Sequence, residues 1–181
     1  MTQQSRTILC WEIIGAIFII FAGSALHFVF DWVGGWRPVA LIAAVNESVW
    51  EHLKLAFWPG LVWAFLRKKD MERTLLERLS AKGFGLLVTA ILIVVIFTSY
   101  TSILGHNLLL LDIGTFALAV LIGQIVSAAF SMRGRSAPVL LKAGLGLLMV
   151  QIAAYSLFTF YPPDFWIFVD SRNGLPGIPP M

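Results

Sequence analysis

Nine consecutive residues, Asn46-Glu47-Ser48-Val49-Trp50-Glu51-His52-Leu53-Lys54, set two carboxylates, an imidazole, an ammonium group, an amide and a hydroxyl into a chain that is otherwise apolar. Ionisable groups at membrane depth face a protein interior or a wet cavity, and by default they mark a functional site. A catalytic zinc takes three protein ligands from His, Asp or Glu and keeps one position open. On that requirement the chain's three histidines, His27, His52 and His106, are the candidate metal ligands. Glu47 or Glu51 would be a carboxylate ligand or the base that activates a bound water. Ser48 joins them as a candidate catalytic group, and Asn46, Lys54 and Asp112 as support. No His-x-x-x-His or His-Glu-x-x-His pattern fixes two ligands on one helix. The residue types therefore point to a metal or acid–base site, and the spacing adds little. The competing reading is a structural network, with Lys54 pairing Glu51 at i, i+3 or Asp112 across helices.

The elements that must position these groups follow from composition. The chain is 59% hydrophobic and 13% charged, against roughly 45–50% and about a quarter in soluble domains. This is the composition of an integral membrane protein, and its mean hydropathy of +0.85 agrees. The fold expected is an all-α bundle of about five transmembrane helices in a multi-pass protein of the bacterial cytoplasmic membrane, with lipids as its surroundings. Nucleic acid is excluded as a partner because the basic residues lie between apolar runs rather than in one binding patch. Cys10 is the only cysteine, so there is no internal disulfide and no cysteine-rich metal site.

The first run extends from Thr7 to Trp36. A cleaved leader would fit Arg6 ahead of it and Ala22-Gly23-Ser24-Ala25 as a small-residue site. Glu12 within the run and the tryptophans beyond it favour a retained span, ended by Gly34-Gly35. Pro38–Leu66 is too long for a simple span, about 43 Å if helical against a core near 30 Å. Either it is one tilted helix, or 38–45 is a re-entrant piece and a helix starts near Asn46–Ser48, where Ser48-x-x-Glu51 is a capping-box pattern. Pro59 would kink that helix by removing the bond to the Leu55 carbonyl. Leu75, Leu76 and Leu79 fit a short interfacial helix in the next loop. The remaining spans are expected at Phe84–Leu104, Leu108–Met132 and Pro138–Tyr161, the last packing through Gly144-x-Gly146. Residues 1–161 thus form one membrane-embedded domain, and 162–181 a Pro/Gly-rich tail packed near the outer face, with Asp164 and Asp170 at the rim.

Nine Lys and Arg residues fall at the N-terminus and in two loops on one side: Arg6, Arg67, Lys68, Lys69, Arg73, Arg78, Lys82, Arg133 and Arg135. Their placement puts the N-terminus in the cytoplasm and the tail outside. Helical rise then sets all three histidines, with Asp112, in the outer part of the membrane. Glu12 and Lys142 fall in the inner part and are expected to pair.

The words VNESVWEHLKLAFWP, the upstream His27-Phe28, and the tail Pro162-Pro163-Asp164-Phe165 through Asp170 to Gly174 and Gly177-Ile178 resemble a family of small bacterial and archaeal membrane proteins of unknown function. The resemblance covers nearly the whole chain and brings no activity with it. That family's tail runs Pro-Leu-Phe and then Asp-Pro, from which Trp166-Ile167-Phe168 and Asp170-Ser171 depart. A looser likeness is to seven-span ceramidase-like hydrolases, which hold zinc among intramembrane His, Asp and Ser. This chain lacks their paired histidines on one span.

Three functions compete on this footing. The first is a metal-dependent, most simply zinc-dependent, or acid–base site acting on a lipid or small amphiphile. The second is a small ion-coupled carrier, and the third an assembly protein with a purely structural polar network.

Overall fold

The computed structural model describes residues 2–66, 74–133 and 138–178. Five helices carry the chain: α1 Gln3–Trp32, α2 Val49–Phe65, α3 Leu75–Leu104, α4 Leu109–Arg133 and α5 Pro138–Phe160. No strand occurs among the described residues. Four helices, all but α2, are long and apolar enough to cross a membrane. At 17 residues α2 reaches only about 25 Å.

The shortness of α2 is the break expected in the second apolar run. Gly34 and Gly35, with φ of 64° and 75°, turn the chain back after α1. A 3₁₀ turn at Arg37–Leu41 follows, its start fixed by Pro38. Ala40, Ala43 and Val45 are buried against Phe30, so 37–45 is a short segment separate from α2 and packed on the end of α1. Ser48 then caps α2 by accepting from the Glu51 N–H. The box is only half closed, since the Ser48 N–H donates to Asn46 Oδ1 and the Glu51 carboxylate is used elsewhere.

Within α2, Pro59 leaves the Leu55 carbonyl without its usual donor four residues on. Gly23 of α1 packs against that carbonyl, and a Cβ there would come within 2.5 Å of it. The third span begins earlier than expected. Thr74 and Glu77 form a complete capping box that starts α3 at Leu75, so Leu75–Leu79 belong to the span rather than to a separate interfacial helix. Arg67–Arg73 and Arg135 lie outside the described residues. The small-residue contact of α5 is also revised. A Cβ at Gly83 would fall on the Gly144 carbonyl, whereas Gly146 has open space. Between the ends lies an apolar layer that includes Ile19, Phe57, Leu86, Val120 and Tyr155.

Candidate metal centre

Three elements converge at the end of the bundle where α1 stops and α2 starts. His27 projects from the last turns of α1, Glu47 from the Asn46–Ser48 turn and His52 from the first turn of α2. Their ligand atoms form a triangle: His27 Nε2 to His52 Nε2 is 3.2 Å, and each imidazole Nε2 is 3.5 Å from Glu47 Oε2. One face of a tetrahedron with bonds of about 2.0–2.1 Å has edges of about 3.3–3.4 Å. The three atoms therefore sit where three ligands of a tetrahedral ion sit, and the group could hold a metal ion.

Local bonds aim the ligands. The Ser48 carbonyl can only accept, so His52 Nδ1 is its donor at 2.8 Å. That bond holds the ring so that Nε2 turns toward His27 and Glu47, the orientation a metal-ligating histidine needs. Glu47 divides its oxygens: Oε2 faces the imidazoles, while Oε1 takes a 2.8 Å bond from Arg172. The hydrogen bonds from His27 and His52 hold its carboxyl far below the usual range for a glutamate. The turn itself is tied down by Asn46, whose Oδ1 accepts from Ser48 N and whose Nδ2 donates to the Gly177 carbonyl at 2.8 Å.

Beside the triangle is a cavity of about 150 Å³ lined by His27, Asp31, Glu47, Asp170 and Arg172 among others. Three carboxylates against one guanidinium give it a formal charge of about −2 at neutral pH with the histidines uncharged. A divalent cation balances that charge. Asp170 is buried and accepts from Arg172 N through Oδ1 at 2.9 Å, which closes the tail's turn over the cavity.

The other candidates lie apart from the triangle. Glu51 binds Lys54 Nζ at 2.6 Å and accepts from Val45 N at 3.0 Å. Lys54 also donates to the Ala40 carbonyl at 2.7 Å and to Thr159 Oγ1 at 2.8 Å. All three ammonium protons are thus used, and the cluster bolts the 37–45 segment to α2 and α5. Ser48 is buried as the cap. His106 is exposed at the α3–α4 turn, with Nδ1 on its own Leu104 carbonyl, and is not among the grouped ligands. Asp112 pairs not with Lys54 but with Tyr100 OH and with Asn107 Nδ2 at 3.0 Å. Asp164 is exposed, leaving Asp170 as the tail carboxylate on the cavity.

At the opposite end, Glu12 pairs with Lys82, not Lys142, at 2.5 Å. Gln124 Oε1 accepts from the same ammonium group. Lys142 is exposed, so nothing forces it to find a buried partner. Two residues of the candidate site were missed from sequence, Asp31 and Arg172. Neither stands out by spacing, because their place is set by the turn at Gly34–Gly35 and by the fold-back of the tail.

These features are those of a multi-pass helical membrane protein with a polar, acidic cavity at one end, beside a His–Glu–His group that could hold a metal ion. The chain belongs to a family of unknown function, DUF6512, whose pattern matches residues 1–178. Comparison with curated proteins and with solved structures found no match.

Proposed function

We propose that His27, Glu47 and His52 hold one divalent metal ion, zinc by ligand type, and that the centre hydrolyses the polar end of a lipid or small amphiphile at the outer leaflet. The observation that carries this reading is the triangle of 3.2, 3.5 and 3.5 Å between three ligand atoms on separate elements. Three protein ligands and one open position are the arrangement of catalytic rather than structural zinc. When bound, such an ion supplies a Lewis acid to an oxygen at that open position.

The chain's own residues supply the remainder. Arg172 and the imidazoles fix the direction of Glu47, and Asp31 and Asp170 offer carboxylates in the same cavity for a proton. A cavity of about 150 Å³ admits a headgroup and not a whole lipid. Phe28, which lines the cavity, and Trp32, stacked on it, are both more than half exposed and suit the membrane interface at which an amphiphile presents its polar end. Arg6, Arg78 and Arg133, at the helix ends away from the cavity, support an outer position for it.

A carrier would need a polar route between the two buried ion pairs. Along α2 from Lys54 to Trp63, the packing is instead Phe57 and Gly60 against Ile19 and Leu86, which favours the hydrolytic reading.

The test is turnover. Protein reconstituted with zinc in vesicles of mixed phospholipids and sphingolipids should release water-soluble headgroups or free acyl chains, read by mass spectrometry. Release should stop with chelator and in His27→Ala and His52→Ala, and persist in His106→Ala. Zinc-loaded protein that releases nothing above empty vesicles would overturn the hydrolytic reading.

A further inference from the structure

On the far side of α2 is a second cavity of about 380 Å³, bounded by α2, α3 and α5 and open at the bundle's flank. Trp50 and Leu53 form one wall, Ala154 and Tyr155 the other, and Ala90 and Val94 the floor. Trp50 and His52 are about 200° apart around α2, so this cleft and the imidazole pair occupy opposite faces. The cleft is therefore independent of the metal centre.

We infer that the cleft binds one acyl chain of a membrane lipid. Its accessible lining is apolar, and the one amide on it, Gln151, spends its Nε2 on the Gly83 and Leu147 carbonyls, so an occupant gains little from a charge or a hydrogen bond there. Its length matches a chain: Leu87 to Val95 along α3 spans about 12 Å, against roughly 15 Å for one leaflet of the hydrocarbon core. Its depth matches too, because it runs from near the middle of α3 up to Trp50, in the first turn of α2. That is the leaflet which also meets the His27 end. Its width excludes a helix. About 380 Å³ spread over about 12 Å of length is a cross-section of about 32 Å², against about 79 Å² for a helix about 10 Å wide. Small side chains make the space, since Ala90 and Ala154 stand where larger residues would close it.

The test is lipid retention by the whole protein, released from micelles in native mass spectrometry after exchange into dioleoylphosphatidylcholine. Wild type should keep one lipid per chain. Ala154→Leu and Ala90→Leu, which fill the cleft, should lower that occupancy at least tenfold at unchanged helical content. In vesicles of dibrominated-chain lipid, tryptophan emission should be quenched more in wild type than in Trp50→Phe, because bromine comes into contact with Trp50. Equal lipid retention in wild type and both filled variants, or equal quenching with and without Trp50, would overturn the inference. So would a filled variant whose only change is the loss of a dimer, since the cleft would then be a contact between copies.

Discussion

Replacing Lys54 by Met separates a structural role for the Glu51–Lys54 pair from a catalytic one. Lys54 is fully buried, and its ammonium group has three partners at 2.6–2.8 Å. Removing it leaves the Glu51 carboxylate buried with only the Val45 N–H and, at 3.4 Å, the Thr159 hydroxyl. Breaking a buried pair on one side costs about 3–5 kcal/mol, a large share of a total near 5–15 kcal/mol. Removing both charges costs less. In Glu51→Gln/Lys54→Met the amide oxygen still accepts from Val45 N, and what remains is the orphaned Ala40 carbonyl and lost packing, about 1–3 kcal/mol. The assay is denaturant unfolding in mixed micelles, followed by helical circular dichroism, for wild type, both single variants and the double. The double should be more stable than Lys54→Met alone. If Lys54→Met lies within about 1 kcal/mol of wild type, or if the two single losses simply add, the pair does not hold the 37–45 segment to α2 and α5.

At the other end, Lys82→Met should destabilise by a similar 3–5 kcal/mol while Lys142→Met changes stability by under about 0.5 kcal/mol, both read from the same unfolding curves. Gly83→Ala should lower the melting temperature of the purified protein sharply, because its methyl group would fall on the Gly144 carbonyl, while Gly146→Ala should leave it unchanged or raise it. The folded-state pKa of Glu47 is depressed, so its contribution to stability is complete above the ordinary value of 4.5 and is lost as pH falls through the folded value. For metal-free protein, stability against pH below 4.5 should therefore fall more steeply in wild type than in Glu47→Gln.

The helices were legible because hydrophobic runs of span length leave few alternatives, and the break before α2 because 29 residues from Pro38 to Leu66 overfill a bilayer. Lys82 was misplaced through a signal that was present. Thr74-Leu75-Leu76-Glu77 is a capping box, and starting α3 there puts Lys82 two turns inside a helix, where it must find a buried anion. Depth alone grouped His106 with the other histidines. Rotation about the bundle axis, which sequence does not fix, takes it to an exposed turn. Glu47 was found beside Glu51, but their separate uses depend on Ser48 ending the turn, so that Glu47 precedes the helix and Glu51 enters it.

If His27, Glu47 and His52 act as one ligand set, the metal content of the purified protein depends on all three. Protein purified in zinc-supplemented medium, washed free of loose metal and measured by inductively coupled plasma mass spectrometry, should carry about one zinc per chain. Content should fall at least tenfold in His27→Ala and His52→Ala and stay at the wild-type level in His106→Ala. Equal metal content in wild type, His27→Ala and His52→Ala, whether high or near zero, would mean that these residues do not hold a metal ion.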